Sequence, residues 1–196
     1  MRVIAGYLGG RELVTSTGRR TRPTTARVRR SLFDMLMRTL PEASCLDLFA
    51  GSGALGVEAM SRGAEHCWFV EMDRAALRAL RTNLTRLGLL DRSRVIPADV
   101  LSVIPLLVTE HGSPFDLVLA DPPYERDLAR RTLHLAGLHR LVSPDGLLVI
   151  QHAPQEELPS QAANLVLARR VEFGETWLTL YRVEAGPEHG GEDPLE

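Results

Sequence analysis

Short apolar runs alternate with stretches of helical spacing along most of this chain. Leu46, Leu48 and Phe49 form a run that predicts a buried strand; Gly51 and Gly53 break it, and Leu55, Val57, Ala59 and Met60 predict the helix that follows. His66–Glu71 predicts a second strand. Asp73 then stands where an N-cap belongs, Leu77, Leu80, Leu84 and Leu87 form one helical stripe, and Gly88 closes it. Val95–Ala98 predicts a short third strand ending at Asp99, and Val100–Val108 a helix interrupted early by Pro105. Phe115–Ala120 predicts a fourth strand, Leu128–Leu141 a helix, Ser143–Gly146 a turn and Leu147–Gln151 a fifth strand. Leu165–Phe173 and Trp177–Val183, joined by Gly174-Glu175, predict two more. Strands alternating with helices imply an α/β fold: a mostly parallel sheet with helices on both faces, to which the final pair adds an antiparallel edge. Ligands of such sheets bind beyond the carboxyl ends of the strands, and Asp47, Glu71, Asp99 and Asp121 all stand at those ends.

Upstream of this pattern, Arg2–Gly6 and Arg11–Val14 flank the Gly9-Gly10 turn and predict a β-hairpin. Thr15–Arg22 is polar and basic and reads as a loop. Pro23 precedes a helix that Thr24 or Thr25 can cap and that Pro41 ends. Val28, Leu32, Phe33, Leu36 and Leu40 recur at helical spacing, while Arg27, Arg29 and Arg30 lie at other angles, so one face packs and another is cationic. From Ala185 the chain holds Gly, Pro and acids with few apolar residues, and disorder is expected. The organisation is a basic hairpin-and-helix extension over 1–41, the sheet domain over 42–184 and a tail over 185–196.

Composition narrows the class. A chain of 196 residues with 44% hydrophobic content is long enough for one full core and a modest appendage. No apolar run reaches the roughly 20 residues a membrane span needs, and Met1–Gly6 has no apolar core of signal-peptide length. The two cysteines, Cys45 and Cys67, lie in apolar runs without metal-ligand spacing and read as reduced buried thiols, so the cytoplasm is expected. The net charge of −2 hides an asymmetry. Residues 1–30 hold eight arginines and one acid, while the remainder holds 15 bases and 24 acids. A basic arm on an acidic domain is the footprint of nucleic-acid contact, with Arg11, Arg19, Arg20, Arg22 and Arg27 as candidate contacts.

The strand–glycine–helix stretch around Asp47 makes a ligand cradle, and two ligand classes compete for it. Gly51-Ser52-Gly53-Ala54-Leu55-Gly56 satisfies G-x-G-x-x-G, and Glu71 lies 20 residues after Gly51, where a ribose-binding acid belongs. That pattern alone suggests NAD and an oxidoreductase. Asp47 opposes it, because a carboxylate ahead of the turn repels a pyrophosphate and attracts an ammonium group. S-adenosyl-L-methionine has the ammonium, the ribose and the adenine, and no phosphate.

Asp121-Pro122-Pro123-Tyr124 carries the chemistry. Two prolines stiffen the loop, so a carboxylate and a backbone carbonyl are held beside an aromatic ring. Asp121 and the Pro122 carbonyl would accept the two hydrogens of an exocyclic amino group and turn its lone pair toward a sulfonium methyl. Tyr124 would stack on the flipped base. Catalysis would consist of positioning and electrostatics, without a metal. Guanine offers two adjacent donors, N1–H and the N2 amino group, which one carboxylate can accept, so Asp121 leans toward guanine. DNA adenine and a protein glutamine amide remain alternative acceptors.

The run Arg22-Pro23-Thr24-Thr25-Ala26-Arg27-Val28-Arg29-Arg30-Ser31-Leu32-Phe33 resembles the N-terminal signature of the RsmD-type 16S rRNA guanine-N2 methyltransferases. Asp47–Gly56, Glu58–Ala64, Phe69–Asp73 and Asp121–Tyr124 are similar to the motifs that follow it in that family. Ala26 and Arg30 depart from the acidic residues usual there, and Asp34 from the usual asparagine. The resemblance implies a Rossmann-like class I methyltransferase fold with a small N-terminal hairpin-and-helix extension. It implies S-adenosyl-L-methionine as cofactor, 16S rRNA in a small-subunit assembly particle as partner, and a monomer with neither metal nor membrane. Asp47 and the turn Phe49-Ala50-Gly51-Ser52-Gly53 would hold the methionine part, Glu71 the ribose hydroxyls, Met72 the adenine face, and Asp99 with Val100 the adenine amino group. Asp121, Pro122 and Tyr124 would sit at the base, and Arg22 and Thr24 would close over cofactor and target.

Overall fold

Five neighbouring strands lie parallel, from one edge of the sheet inward: β1 (Ser44–Leu48), β2 (His66–Glu71), β3 (Ser93–Pro97), β4 (Phe115–Ala120) and β5 (Val142–His152). Three more, β6 (Gln161–Ala162), β7 (Leu165–Phe173) and β8 (Thr176–Val183), extend it antiparallel beyond β5, in the order β3-β2-β1-β4-β5-β8-β7-β6. The computed structural model describes residues 1–15, 25–124 and 127–184. The helices are α1 (Ala26–Met35), α2 (Ala54–Ser61), α3 (Arg74–Leu87), α4 (Val100–His111) and α5 (Leu128–Leu138).

Alternation along the strands divides the core. Cys45, Cys67, Phe69, Leu117, Leu119, Leu147 and Val149 pack on one face with α1, α2 and α3. Leu46, Leu48, Trp68, Val70, Val118, Leu148 and Ile150 pack on the other with α4 and α5. β1, β2 and β4 are covered on both faces and leave almost no position for water, which is why they read as nearly continuous apolar runs, whereas the edge strand β3 is half-exposed. Both cysteines are free and buried, and their thiols are pushed well above the ordinary range by burial first and neighbouring acids or thiol second.

The expectations for β2, β4 and β7 hold residue for residue, and Asp73 and Gly88 cap α3 as expected; at several other places the structure corrects them. The N-terminal hairpin is reduced to one antiparallel bridge, Arg2 to Glu12, supported by bonds such as Val3 N–H to the Arg11 carbonyl at 3.0 Å. α1 stops at Met35, ahead of Pro41, and turns carry the chain on. Arg29 is not on a cationic face. It is buried, with its Nη2 on the Arg2 carbonyl at 2.6 Å, and burial lowers the pKa of its guanidinium. Pro105 does not interrupt α4, which runs on to His111: the proline is exposed, on the side of the helix away from the core, and the helix continues despite the lost amide and the crowding of the Leu101 carbonyl. The Ser143–Gly146 turn is a bulge inside β5, where Phe115 pairs with Val142 and Leu117 already with Leu147.

The N-terminal residues are part of the core. Val3, Leu8 and Leu13 are buried in the same cluster as Leu32, Phe33, Ala59 and Leu84. Their backbone is held by buried polar side chains of the helical layer. Glu58 accepts from the Ile4 and Ala5 amides at 2.7 and 3.0 Å, and Ser61 Oγ accepts from Leu8 at 3.0 Å. Asn83 accepts from the Val14 amide at 2.8 Å and donates to its carbonyl at 2.9 Å. The segment thus bridges α1, where Arg29 grips Arg2, and α3, where Asn83 grips Val14. The expected tail over 185–196 lies outside the described residues.

Candidate active site

Strand register decides which residues leave the sheet together. Leu48 of β1 pairs with Val70 of β2 and with Ala120 of β4, Glu71 pairs with Pro97 of β3, and Ala120 pairs with Ile150 of β5. The next residues on each strand therefore form one row at the carboxyl ends: Pro97, Glu71, Phe49, Asp121 and Gln151. The order reverses between β1 and β4, and the crevice at such a switch point is where open α/β sheets bind ligands.

The cradle is built at β1. Phe49, Gly51 and Gly53 all have positive φ, at 61°, 57° and 85°, and this turns the chain sharply from strand to helix. A Cβ on Gly53 would stand 2.5 Å from Leu80 Cδ1, so glycine there answers both the backbone angle and the packing of α3. A Cβ on Gly56 would lie 2.3 Å from Phe69 Cε1 and 2.7 Å from Cys67 Sγ, so that glycine brings α2 down onto β2. Asn83, besides holding Val14, donates to the Ser52 carbonyl at 2.9 Å and links the cradle to the N-terminal segment.

Two acids hold the turn from below. Glu71 accepts from Gly51 N–H at 2.8 Å through Oε2, and from Met72 and Asp73 N–H at 2.8 and 2.7 Å through Oε1. Asp47 accepts from Gly56 N–H at 2.9 Å, one of the amides in the first turn of α2 that has no acceptor within the helix. It is only 1% exposed, so it lies beneath the cradle and not at its rim, where a strand-tip position suggests. Burial, with further contributions from Asp121 and Glu71, pushes its carboxyl up to about 7 against the Gly56 bond. Three carboxylates thus share one low-dielectric corner. Such a corner repels phosphate and favours a cation.

Asp121 and Tyr124 follow β4. Asp121 is partly exposed, Pro122 buried and Tyr124 37% exposed. The Tyr124 hydroxyl receives Gln151 Nε2 at 3.2 Å and lies 3.2 Å from Thr176 Oγ1, so the ring is tethered to β5 and β8. Sequence reasoning missed Gln151 and Thr176. The signal for Gln151 was available: it closes the Leu147–Ile150 apolar run as Glu71 and Asp121 close theirs. Nothing in the sequence points to Thr176.

On the other side, Met72 is 60% exposed beside Glu71. Asp99 caps α4, with Oδ2 accepting from Ser102 N–H and Oγ at 3.0 and 2.9 Å, and Val100 is buried behind it. Arg11 is exposed and donates to the Arg86 carbonyl at 3.3 Å, and Arg27 is exposed on α1. Arg19, Arg20, Arg22 and Thr24 lie outside the described residues. Of the two candidate caps, Thr25 caps α1 by accepting from Val28 N–H at 3.3 Å. The site therefore brings together Phe49, Glu71 and Asp121 in the row, Gly51 and Tyr124 on the loops that follow it, and Asp47 beneath it. Arg11 belongs to a different surface, on α3. Among the described residues no cluster of His, Cys, Asp and Glu is arranged to hold a metal, and no helix is long and apolar enough to cross a membrane.

Known proteins share this fold. Ribosomal RNA small subunit methyltransferase D of Escherichia coli strain K12 is 36% identical over 185 residues, which is 94% of this chain and 91% of that protein. The solved structure of the E. coli protein yhhF superposes with a TM-score of 0.82 at 36% identity, covering 95% of this chain and 99% of that one. The protein TTHA0928 of Thermus thermophilus superposes with a TM-score of 0.79 at 35% identity, over 94% and 99% of the two chains. The neighbours and the sheet order identify the fold as Rossmann-like, of the class I methyltransferase type. Residues 1–182 match the family described as Conserved hypothetical protein 95, and with the relatives above this chain belongs to that RsmD-like family.

Proposed function

We propose that this protein transfers a methyl group from S-adenosyl-L-methionine to the exocyclic N2 amino group of a guanosine in 16S ribosomal RNA, within a small-subunit assembly particle. The observation that carries this reading is the row at the switch point, where the Asp47–Glu71–Asp121 corner meets the Asp121–Tyr124 loop. The relatives' rRNA methyltransferase names support the same class of reaction and substrate.

The residues fit the donor. The cradle's acids suit a ligand with an ammonium and a sulfonium and no phosphate, and the same charge weighs against a dinucleotide. When bound, S-adenosyl-L-methionine supplies an electrophilic methyl group on sulfur. Gly51 and Ser52 form the floor for the methionine part, Glu71 stands level with the ribose position, and Met72 offers an exposed apolar surface for adenine. Asp99 has Oδ1 outside its helix-capping bonds and would accept from the adenine amino group.

The acceptor side is Asp121, Pro122 and Tyr124. The Asp121 carboxylate accepts N1–H and one N2–H of guanine, and the Pro122 carbonyl accepts the other N2–H. This aims the nitrogen lone pair out of the hydrogen-bonded plane and toward the donor. Asp121 and the Pro122 carbonyl would hold N2 in this orientation while it accepts the methyl. The proton released from N2 passes to Asp121. Tyr124 stacks against the base and is held by Gln151 and Thr176. The rate comes from fixed geometry and preorganised charge.

The test is transfer of labelled methyl from S-adenosyl-L-methionine to small-subunit rRNA, free and in particles, with nucleoside analysis. N2-methylguanosine is expected. A methyl group on another atom, or on DNA or protein in preference to rRNA, would overturn the assignment.

A further inference from the structure

The helical layer over the N-terminal face of the sheet is strongly cationic, although the whole chain carries a net charge of −2. α1, α2 and α3 contain seven arginines and two acids, Asp34 and Glu58. Both acids are taken by Arg62, at 3.1 and 2.8 Å. α3 contributes Arg74, Arg78, Arg81 and Arg86 and no acid, and all four are exposed. Among the described residues none of the four side chains has an ion pair or hydrogen bond, whereas Arg2 pairs with Glu12 and Arg94 with Glu110.

Arg74, Arg78 and Arg81 follow at i, i+4 and i+7 and share one face of the helix. This pattern works against the helix itself. Arg74 and Arg78 are like charges one turn apart, and Arg74 stands at the positive end of the helix dipole. A helix charged only for solubility would intersperse acids. Arg11 adds a fifth guanidinium beside the last turn through its bond to the Arg86 carbonyl. The stripe begins two residues after Met72, at the cradle, and from Arg74 to Arg86 runs about 18 Å along the axis.

We propose that the outer face of α3, with Arg11, is a phosphate-binding track that holds the backbone of the RNA substrate while its target base enters the site. The identity of the partner rests on the rRNA reading above. Unpaired guanidinium groups on a rigid helix match the spaced phosphates of a nucleic-acid strand and position it without reading its sequence.

The experiment compares the full-length protein with R74Q/R78Q/R81Q, in which glutamine preserves helix propensity. R130Q/R131Q/R169Q, which removes three exposed arginines from α5 and β7, is the control. Affinity for small-subunit rRNA is measured across a salt series, without turnover. The α3 variant should bind at least about tenfold more weakly near 0.1 M salt, with a log–log salt slope shallower by about 2, since each lost phosphate contact removes about 0.7–0.9. The control should keep the original slope. In turnover, KM for RNA should rise while kcat and the affinity for S-adenosyl-L-methionine stay unchanged. An unchanged slope and KM in the α3 variant overturn the track, and so does an equal flattening in the control. An unsubstituted protein that binds rRNA but leaves it unmethylated would count against the proposed function, while the slope comparison would still decide the track.

Discussion

Gln151, the residue that ends the apolar stretch of β5, donates to the Tyr124 hydroxyl at 3.2 Å and so ties the ring beyond β4 to the neighbouring strand. A ring that stacks on a base needs one orientation, and the hydroxyl provides it. Tyr124→Phe keeps the stacking surface but loses the bonds to Gln151 and Thr176, each worth about 1 kcal/mol. Its kcat/KM for rRNA should fall about five- to tenfold, and that of Tyr124→Ala considerably further. Gln151→Ala should reproduce part of the phenylalanine effect, and the double variant should be less than additive. Full additivity in that cycle would mean that Gln151 does not act through Tyr124.

Asp121→Asn separates charge from shape. The amide has one acceptor oxygen, and its NH₂ group faces a guanine edge that offers only donors at N1 and N2. Methyl transfer should drop by about a hundredfold or more, the scale of losing one preorganised charge partner. Calorimetric affinity for S-adenosyl-L-methionine should change little by comparison. An asparagine variant with full activity would remove Asp121 from the chemistry.

Asp47 should make both stability and cofactor binding depend on pH. Its carboxyl is pushed up from 3.8 to about 7, chiefly by burial. Between those values the folded chain holds a proton that the unfolded chain has lost, so stability is greatest at low pH in this window and declines as pH rises through about 7. Asp47→Asn retains an oxygen for the Gly56 amide and cannot ionise. It should therefore gain stability relative to the unsubstituted protein between pH 5 and pH 8, as read by urea unfolding. A bound cation favours the ionised carboxylate, so binding of S-adenosyl-L-methionine below about pH 7 should release protons. Calorimetry in two buffers of different ionisation enthalpy measures that release, and Asp47→Asn should abolish it.

Much of this was legible in the residues because the sheet is parallel and covered on both faces. Apolar runs, caps such as Asp73 and the glycine turn each report a local constraint, and the row of strand-end acids follows from them. What escaped depends on contacts distant in sequence. Arg29 looks like one of three surface arginines, and only the approach of Arg2 from the N-terminal segment explains its burial. Tyr124 announces itself through the prolines before it, but its anchor Thr176 lies 52 residues away on an antiparallel strand. Ser143–Gly146 has turn chemistry, yet pairing with β4 before and after it keeps those residues within one strand as a bulge. Asn83, beside the leucine stripe of α3, carries no local signal of its bonds to Val14 and Ser52, which come from segments distant in sequence.

The attachment of the N-terminal segment provides the last prediction. Glu58 is fully buried and serves three donors: the Ile4 and Ala5 amides and Arg62 Nε at 2.8 Å. Glu58→Ala would strand all three in an apolar layer, a loss of about 3–5 kcal/mol on the scale of broken buried charge pairs. Glu58→Gln keeps one acceptor oxygen and should lose less. The exposed Arg2–Glu12 pair is the comparison, since Arg2→Ala should change stability by no more than about 1 kcal/mol. Urea unfolding ranks the variants, and hydrogen exchange locates the damage: the amides of residues 3–8 should lose protection first in the glutamine variant. The same loosening should reach the cradle through Asn83, which grips Val14 and Ser52 with one amide. Affinity for S-adenosyl-L-methionine should therefore fall several-fold in Glu58→Gln even where the protein remains folded. If exchange accelerates over 3–8 while cofactor affinity stays unchanged, the segment is fastened to the helical layer but not coupled to the cradle.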